Sequence, residues 1–201
     1  MNNGLNNNLG LIVLILGLAI FHASHLFVRR RDARAAAIER LGVTGYRIAF
    51  SIVSIAGLAM IVWGFGHYRA TGWIDVWYPP AFMRHITELL MLFASVFIVA
   101  AFIPSHITVK LKHPMLASVK TWALAHLLAN GDLGSILLFG SFLAWGVIAR
   151  IAAKKAGEAG AVTAPSGYIN DVLVVVIGLA LYFALGFYFH PYLIGVPVFT
   201  R

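Results

Sequence analysis

The chain has 201 residues, of which 61% are hydrophobic and only 11% are charged, whereas an ordinary soluble domain carries roughly 25% charged residues. This composition predicts an integral membrane protein surrounded by membrane lipid. The formal net charge is +8, but the basic residues lie in short segments between apolar runs, so they indicate membrane topology and no nucleic-acid binding. Cysteine is absent, so thiolate ligands are excluded and any metal chemistry must use the eight histidines.

Four apolar runs are long enough to cross a bilayer, whose hydrocarbon core of about 30 Å needs about 20 residues of helix. They cover residues 9–28, 45–65, 82–103 and 171–190. The first eight residues are rich in Asn and lack the basic region and cleavage site of a secretory signal, so we expect the first run to be kept as an anchor. The segments 29–44, 66–81, 104–113 and 150–170 are predicted to be loops.

The segment from His113 to Arg150 is too long for one ordinary span. Pro114 suits the first position of a helix, and Asn130-Gly131-Asp132 is typical of a turn in which Asp132 caps the next helix. We therefore predict a helical hairpin with limbs at 114–129 and 133–149. The first limb is about 24 Å long at 1.5 Å per residue, which is short for a full crossing, so partial insertion is expected.

These elements predict an all-α fold, a polytopic transmembrane helical bundle with five long spans or, counting both hairpin limbs, six segments. No segment resembles a separate soluble domain, so residues 1–201 are expected to form a single transmembrane domain. With six segments and the N-terminus outside, the basic loops all face the cytoplasm, as the positive-inside rule requires. These loops are 29–44, 104–113 and 150–170.

Ionisable side chains inside the spans are candidate sites, because each costs about 2.5 to 3.5 kcal/mol at the centre of an isolated helix. The predicted topology places the histidines in two layers. The cytoplasmic layer contains His22, His25, His106 and His113, and the opposite layer contains His67, His85, His126 and His190.

Three of these histidines are candidate ligands of a metal or cofactor. His22 and His25 are three residues apart near the end of the first span, so they share a helix face. Alternatively, both imidazoles reach interfacial water or a neighbouring carbonyl group. His126 lies inside an apolar limb and needs a partner on another helix or an internal water, whether or not it has a function.

Other polar residues are candidates for intramembrane roles. Asn130 and Asp132 either hold the hairpin turn or take a direct part in a site. Glu88 requires a cation, a histidine or a proton, and His85 is its candidate partner through i,i+3 spacing. The pair is either a proton site or a structural ion pair near the interface.

Four stretches of the sequence resemble the NnrU family, and together they cover nearly the whole chain. They are LAIFHASHLFVRR (18–30), VWYPPAFMRH (76–85), KHPMLASVKTWALAHLLANGDLGSILLFG (112–140) and HPYLIGV (190–196). The resemblance implies a bacterial inner-membrane protein that supports denitrification, in association with nitrite and nitric oxide reductase function.

The same domain is similar to the 15-cis-zeta-carotene isomerases, membrane enzymes that hold a b-type haem through histidines. This similarity implies that His25, four residues after Phe21, and His126, four residues after Trp122, are ligands of the haem iron. Ala123 stands where the isomerases have a cysteine implicated in ligand exchange, so a Cys/His ligand switch is not expected.

The pairing of these two histidines depends on their depth in the membrane. One iron can bind both only if the first hairpin limb starts below the membrane surface and brings His126 to the level of His25. Otherwise the resemblance and the predicted depths favour pairing of His25 with His22 or His113, which makes these residues further candidates for cofactor binding.

Three functions remain open at this point. The first is support of denitrification through a histidine-ligated haem b. The second is a haem-dependent isomerase or redox enzyme acting on a lipid-like substrate. The third is a transporter or assembly factor that uses intramembrane polar residues without a cofactor.

Overall fold

A computed structural model describes residues 3–199, with side chains from residue 9 onward, and it is helical throughout its main elements. The helices are α1 (Asn3–Phe27), α2 (Arg31–Ala70), α3 (Met83–Ala100), α4 (His106–Leu111), α5 (Pro114–Ala129), α6 (Leu133–Lys155) and α7 (Ile169–Ala184). Helix α7 continues without a break as a π-helix, Leu185–Ile194. Among the described residues, an isolated β-bridge joins Asp75 to Asp132, and no strand is formed. The predicted all-α fold is therefore confirmed.

Five helices are long and apolar enough to cross a membrane. They are Leu9–Phe27, Arg31–Ala70, Met83–Ala100, Leu133–Lys155 and Ile169–Ile194. Large apolar side chains are exposed on these helices, among them Ile12 at 53% and Val62 at 66%, as expected where the surrounding solvent is lipid. The chain is therefore a multi-pass membrane protein.

The predicted hairpin at 114–129 and 133–149 is confirmed. Helix α5 begins at Pro114 and ends at Ala129, and α6 begins at Leu133 but continues to Lys155. The two helices run antiparallel, because the ring of Trp122 lies 5.6 Å from that of Phe142, while the stem of Lys120 packs against Gly146 farther from the turn.

The predicted loop at 29–44 is wrong. Helix α2 begins at Arg31, and the only interruption in it is at Gly42, with φ 70° and ψ 165°. Alanine and arginine are strong helix formers, so 31–41 forms a helix even though its charge resembles that of a loop. Glycine is the residue that tolerates the conformation found at position 42.

The other predicted loops are shorter than expected. Helix α2 continues to Ala70 and α6 to Lys155, while 104–113 contains the short helix α4. The Ser105 hydroxyl caps α4 by accepting a hydrogen bond from the Thr108 N–H at 3.1 Å. Polar composition alone therefore overestimated the lengths of these loops.

The chain divides into two compact units. The first contains Met1–Tyr78 and Asn130–Ser141, and the second contains Pro79–Ala129 and Phe142–Arg201. Helix α6 contributes residues to both. The expectation of a single domain over 1–201 stays a prediction.

In the first unit, α1 and α2 pack closely against each other through glycines. A Cβ at Gly17 would lie 2.8 Å from the Ile61 nitrogen, and one at Gly64 would lie 2.5 Å from the Leu14 nitrogen. Small residues of this kind allow two membrane helices to approach backbone to backbone, which increases van der Waals contact. Farther along the same pair of helices, the ring of His25 on α1 contacts that of Phe50 on α2.

In the second unit, α3 packs against both α5 and α7. The buried Ser118 hydroxyl on α5 donates a 2.8 Å hydrogen bond to the Ala94 carbonyl on α3. On the other side Gly178 of α7 lies against Val96, where a Cβ would come within 2.7 Å of the Val96 Cα. A core of Val96, Val99, Ala100 and Val174 surrounds this contact and sets the register of α7.

Candidate functional site

His25 lies near the C-terminal end of α1, with its ring held on both sides. Its Nδ1 is 2.8 Å from the Phe21 carbonyl oxygen and 3.1 Å from the Ser24 hydroxyl. The ring stacks on Phe21 at 4.2 Å and contacts Phe50 edge-on at 5.3 Å. A carbonyl oxygen only accepts, so Nδ1 carries the proton and Nε2 carries the lone pair.

His22, the neighbouring candidate, hydrogen-bonds through Nε2, whereas His25 does so through Nδ1. Its Nε2 lies 3.2 Å from the Ser141 hydroxyl on α6. That hydroxyl donates to the Leu138 carbonyl at 2.8 Å, so it accepts a hydrogen bond from the His22 Nε2–H. The hydrogen bond joins α1 to α6 within the first unit. His22 thus has a visible structural role, and its role as a ligand stays a prediction.

His126 lies on α5 in the second unit, in an arrangement that matches His25. Its Nδ1 donates to the Trp122 carbonyl oxygen at 2.9 Å, which leaves the lone pair on Nε2. The Trp122 ring lies 5.3 Å from the imidazole. The four-residue spacing of Phe21 to His25 and of Trp122 to His126 therefore has the same physical basis, a hydrogen bond to the preceding helical turn.

His190 is brought next to His126, a position that the sequence analysis did not foresee. The two ring centroids lie 6.2 Å apart with an angle of 22° between the ring planes. The Nδ1 of His190 donates to the Leu185 carbonyl oxygen at 3.0 Å, so Nε2 again carries the lone pair. Two imidazoles in the same tautomer thus lie side by side in the second unit.

The π-helix Leu185–Ile194 explains this position. Pro191 has no N–H, and its ring would clash with the carbonyl four residues earlier in an α-helix, which the wider π turn avoids. The element ends at Gly195, at φ 75°, and the Val196 N–H then closes on the His190 carbonyl at 3.0 Å. The HPYLIG stretch, with a proline directly after a histidine and a glycine four residues later, was the available signal.

An apolar cavity of about 190 Å³ lies among α3, α5, α7 and the start of the π-helix. Its lining includes Trp122 and Leu185, whose carbonyl groups hold His126 and His190. The Thr87 hydroxyl donates to the Ala125 carbonyl at 3.1 Å and so joins α3 to α5 next to His126.

Glu88 has a closer partner than the one predicted. The Arg84 Nε lies 3.0 Å from Glu88 Oε1, whereas His85 Nδ1 lies 3.7 Å from Oε2 and its side chain is 76% exposed. Arg84 was missed, although its i,i+4 spacing is a standard signal for an ion pair. The position of this group at the start of α3 favours the structural alternative, and a proton site stays a prediction.

Asp132 caps α6, as one of its two predicted roles required. Its Oδ1 accepts from the Ser135 N–H at 2.9 Å, and the residue is only 9% exposed. In the same turn, the Gly131 carbonyl accepts from the N–H groups of Val76 and Trp77. Asn130 precedes this turn, and its direct role in a site stays a prediction.

His113 lies directly before α5. Its Nε2 is 3.3 Å from the Glu158 carbonyl, and its own carbonyl accepts from the Ala117 N–H at 3.0 Å at the start of the helix. These contacts hold the 150–170 connection next to Pro114. A role for His113 as a cofactor ligand stays a prediction.

A protein-family comparison decides the identity of the chain. The model of the NnrU protein family matches residues 13–198, which contain all the candidate residues described above. The chain belongs to the NnrU family. Comparison with curated proteins and with solved structures gives no significant match. The NnrU match confirms the resemblance inferred from the four sequence stretches.

The NnrU match spans both units, and each candidate ligand belongs to one of them. His22 and His25 lie in the first unit, whereas His113 and His126 lie in the second. The pairing of His25 with His126 on one iron stays a prediction. Within the second unit, the described structure brings His126 together with His190.

Proposed function

We propose that this NnrU-family chain is a multi-pass protein of the bacterial inner membrane that supports nitrite and nitric oxide reduction in denitrification, using a b-type haem. His126 is the residue that would hold the iron in this proposal. The membrane character rests on five apolar helices and the family on the match over residues 13–198. The bound haem, the location in the inner membrane and the role in denitrification are proposals.

The observation that carries the haem proposal is the hydrogen bond of His126 Nδ1 to the Trp122 carbonyl at 2.9 Å. Histidines that bind metals commonly donate their other ring N–H to a carbonyl or carboxylate, which fixes the tautomer and the ring orientation. His25 meets the same condition through Phe21 at 2.8 Å. The donor chemistry of each residue would therefore suit a ligand of haem iron.

Bound haem would supply a redox-active iron that can also take a small ligand such as nitric oxide. The protein residues hold and tune it. His126 supplies a neutral imidazole, and the carbonyl of Trp122 raises its basicity through the Nδ1 proton. The Trp122 side chain also lines an apolar cavity together with Leu181 and Leu185.

The test is the absorption spectrum of the protein purified in detergent from haem-replete cells. We expect a Soret band in the native chain and its loss or marked decrease in His126→Ala. His85→Ala is the matched control, because that histidine is 76% exposed at the start of α3 and should leave the band unchanged. A native protein that is colourless would overturn the haem proposal and favour a transporter or assembly factor without a cofactor.

The role in denitrification has a separate test in a denitrifying bacterium whose own NnrU gene is deleted. Expression of this chain should restore nitrite and nitric oxide consumption by intact cells, and His126→Ala should not, while His85→Ala should. Immunoblots of the membrane fraction control for expression of each variant. If the native chain and His126→Ala restored nitrite and nitric oxide consumption equally, the role in denitrification would not depend on a haem at His126.

A second candidate function is a haem-dependent isomerase or redox enzyme acting on a lipid-like substrate. The apolar cavity of about 190 Å³ favours it, because its lining of Trp122, Leu181 and Leu185 suits a segment of an apolar chain. Turnover of a polyene by the haem-loaded protein in bilayer discs would support this function. Native protein that binds haem but leaves polyenes unchanged would leave support of denitrification as the function.

A further inference from the structure

We infer that the basic segment, residues 29–47, is a binding surface for the headgroups of anionic phospholipids. The basic segment contains the first part of α2, helix 31–41, then the bend at Gly42 and the five residues that follow it. The inference uses the membrane character of the chain and is independent of the proposed haem and of the proposed role in denitrification. In the sequence, the charge of this region served only to predict the membrane topology.

Helix α2 is too long to lie within the bilayer over its whole length. Its 40 residues would extend about 60 Å as a straight helix at 1.5 Å per residue, whereas the hydrocarbon core is about 30 Å thick. The part after Gly42, residues 43–70, is long enough by itself to cross the membrane. Helix 31–41 therefore lies outside the hydrocarbon core.

The bend at Gly42 keeps helix 31–41 close to the membrane surface. Gly42 has φ 70° and ψ 165°, a conformation that is almost confined to glycine. The Arg34 guanidinium lies 5.9 Å from the centre of the Tyr46 ring. These two residues would be about 18 Å apart along the axis of a straight helix, so their contact requires helix 31–41 to fold back towards the start of the span. At its other end, helix 31–41 follows α1 after only three residues, 28–30.

Arginine supplies all of the positive charge in the basic segment. Six arginines face two acidic residues, Asp32 and Glu39, so the net charge is +4, half of the +8 of the whole chain. The arginines are Arg29, Arg30, Arg31, Arg34, Arg40 and Arg47. The lysines of the chain all lie elsewhere, between residues 110 and 155. Lysine would satisfy a need for positive charge equally well, so the exclusive use of arginine indicates a group that a planar guanidinium binds through two hydrogen bonds.

Phosphate is such a group, and phospholipids are its source at a membrane surface. Arginine binds phosphate oxygens in bidentate geometry, and basic residues next to a span are attracted to anionic lipid. Arg30, Arg40 and Arg47 are exposed, so their guanidinium groups can reach headgroups. The apolar side chains of Leu41 and Val43 are 55% and 53% exposed, which suits the boundary between headgroups and acyl chains. A zwitterionic lipid also carries phosphate, but its own cation offsets the attraction.

The test measures the binding of phospholipids to the full-length protein after delipidation in detergent. Native mass spectrometry with added phosphatidylglycerol or phosphatidylcholine gives the affinity for each lipid. We expect the native protein to bind phosphatidylglycerol at least about tenfold more tightly, because net charge and phosphate recognition act together. This preference should decrease as the ionic strength rises, since salt screens exposed charges.

The arginine variant combines Arg30→Gln, Arg40→Gln and Arg47→Gln. It removes three exposed charges, introduces a good helix former and keeps the other three arginines of the basic segment. The Arg34 contact with Tyr46 is left intact. The affinity for phosphatidylglycerol should fall at least about tenfold, while that for phosphatidylcholine should stay native.

The matched control is a lysine variant that combines Lys110→Gln, Lys154→Gln and Lys155→Gln. It removes the same number of charges from exposed positions in the second unit. We expect it to keep the native preference for phosphatidylglycerol.

A second measurement uses the native protein in bilayer discs and needs no substitution. Amide hydrogen exchange over helix 31–41 should be slower in discs that contain phosphatidylglycerol than in discs of phosphatidylcholine alone. The 156–168 connection should exchange equally in both kinds of disc.

Three outcomes would overturn the inference. Equal affinity of the native protein for the two lipids would remove the anionic partner. Native affinity in the arginine variant, or an equal loss in the lysine variant, would show that the basic segment is not the binding surface. If the arginine variant does not fold, equal exchange over helix 31–41 in both kinds of disc overturns the inference. The Soret band is unaffected in each case, so this failure is distinguishable from failure of the proposed haem.

Discussion

The aromatic ring of Tyr68 lies directly against Gly134, so that a Cβ at residue 134 would overlap its Cδ1 and Cε1 atoms. Tyr68 is fully buried, and its hydroxyl accepts a hydrogen bond from the Ile74 N–H at 2.9 Å. The contact joins the end of α2 to the first turn of α6 in the first unit. Gly134 is therefore required by packing, although nothing in its sequence neighbourhood predicted this.

The first prediction concerns this contact. Gly134→Ala should lower the stability of the detergent-solubilised protein by about 1 to 3 kcal/mol, because the tyrosine must shift within a packed surrounding. Gly140→Ala on the same helix is the control, since nothing lies within 4 Å of its added Cβ. That variant should be neutral or slightly stabilising. Thermal unfolding followed by tryptophan fluorescence measures both, and equal midpoints would contradict the contact.

The second prediction concerns the close approach of α1 and α2. Gly64→Ala would place a Cβ 2.5 Å from the Leu14 nitrogen and 2.9 Å from the Gly10 carbonyl oxygen. Backbone atoms cannot move aside as a side chain can, so we expect a loss of about 3 kcal/mol or more. Gly66→Ala, two residues later and with open space around its Cβ, should retain the native unfolding midpoint. A native midpoint for Gly64→Ala would show that α1 and α2 are farther apart.

The third prediction separates the two roles that the sequence left open for Asp132. Asp132→Ala removes the acceptor of the Ser135 N–H and should cost about 0.5 to 2 kcal/mol, the usual range for loss of an N-terminal cap. Asp132→Asn keeps an acceptor oxygen and should stay near the native stability. Chemical denaturation in detergent compares the two variants. If both lose stability equally, the carboxylate charge matters more than the cap.

The fourth prediction concerns the contact between α4 and α7. One Asp171 oxygen lies 2.7 Å from His106 Nδ1, and the other accepts from the Ile107 N–H at 3.1 Å. Asp171→Ala removes the acceptor of both groups and should loosen the attachment of α4 to α7. We expect faster proteolytic cleavage of the 101–113 connection in this variant.

Asp75→Ala is the control for that experiment. Its carboxylate accepts from the Tyr78 hydroxyl at 3.2 Å in an exposed position, so the cleavage rate of the 101–113 connection should stay native. Cleavage at the native rate in Asp171→Ala would show that α4 is held mainly by its Ser105 cap and not by Asp171.

The sequence predicted those features that depend on local chemistry. Run length predicted the spans, Pro114 predicted the first residue of α5, and Asp132 predicted the cap of α6. Such features follow from apolar length, from a missing N–H or from a side-chain acceptor within three residues. They need no knowledge of the rest of the molecule.

The sequence did not predict features that depend on residues far apart in the chain. The contact of His126 with His190 joins positions 64 residues apart, and each histidine alone looked like one member of a polar layer. The approach of Gly134 to Tyr68 and the hydrogen bond of His22 to Ser141 are of the same kind. Only the packing of the helices decides which polar groups meet.

The error at 29–44 has a different cause. Its five arginines fit a loop at the membrane surface, and the prediction gave charge more weight than helix propensity. Helix 31–41 shows that a basic segment can be both charged and helical, with Gly42 marking its end. Arginine itself is a good helix former, so charge and helical conformation do not conflict.

The π-helix at the end of α7 has a consequence for tolerance to deletions. A turn closed by i→i+5 hydrogen bonds contains one residue more than the corresponding α turn, and each residue of an α-helix turns the chain by about 100°. Removing one residue between Leu185 and His190 is therefore expected to restore ordinary winding while every later side chain keeps nearly its present angle around the axis. The imidazole of His190 would then stay on the side of His126, but the ring of Pro191 would meet the carbonyl that the wider turn lets it avoid.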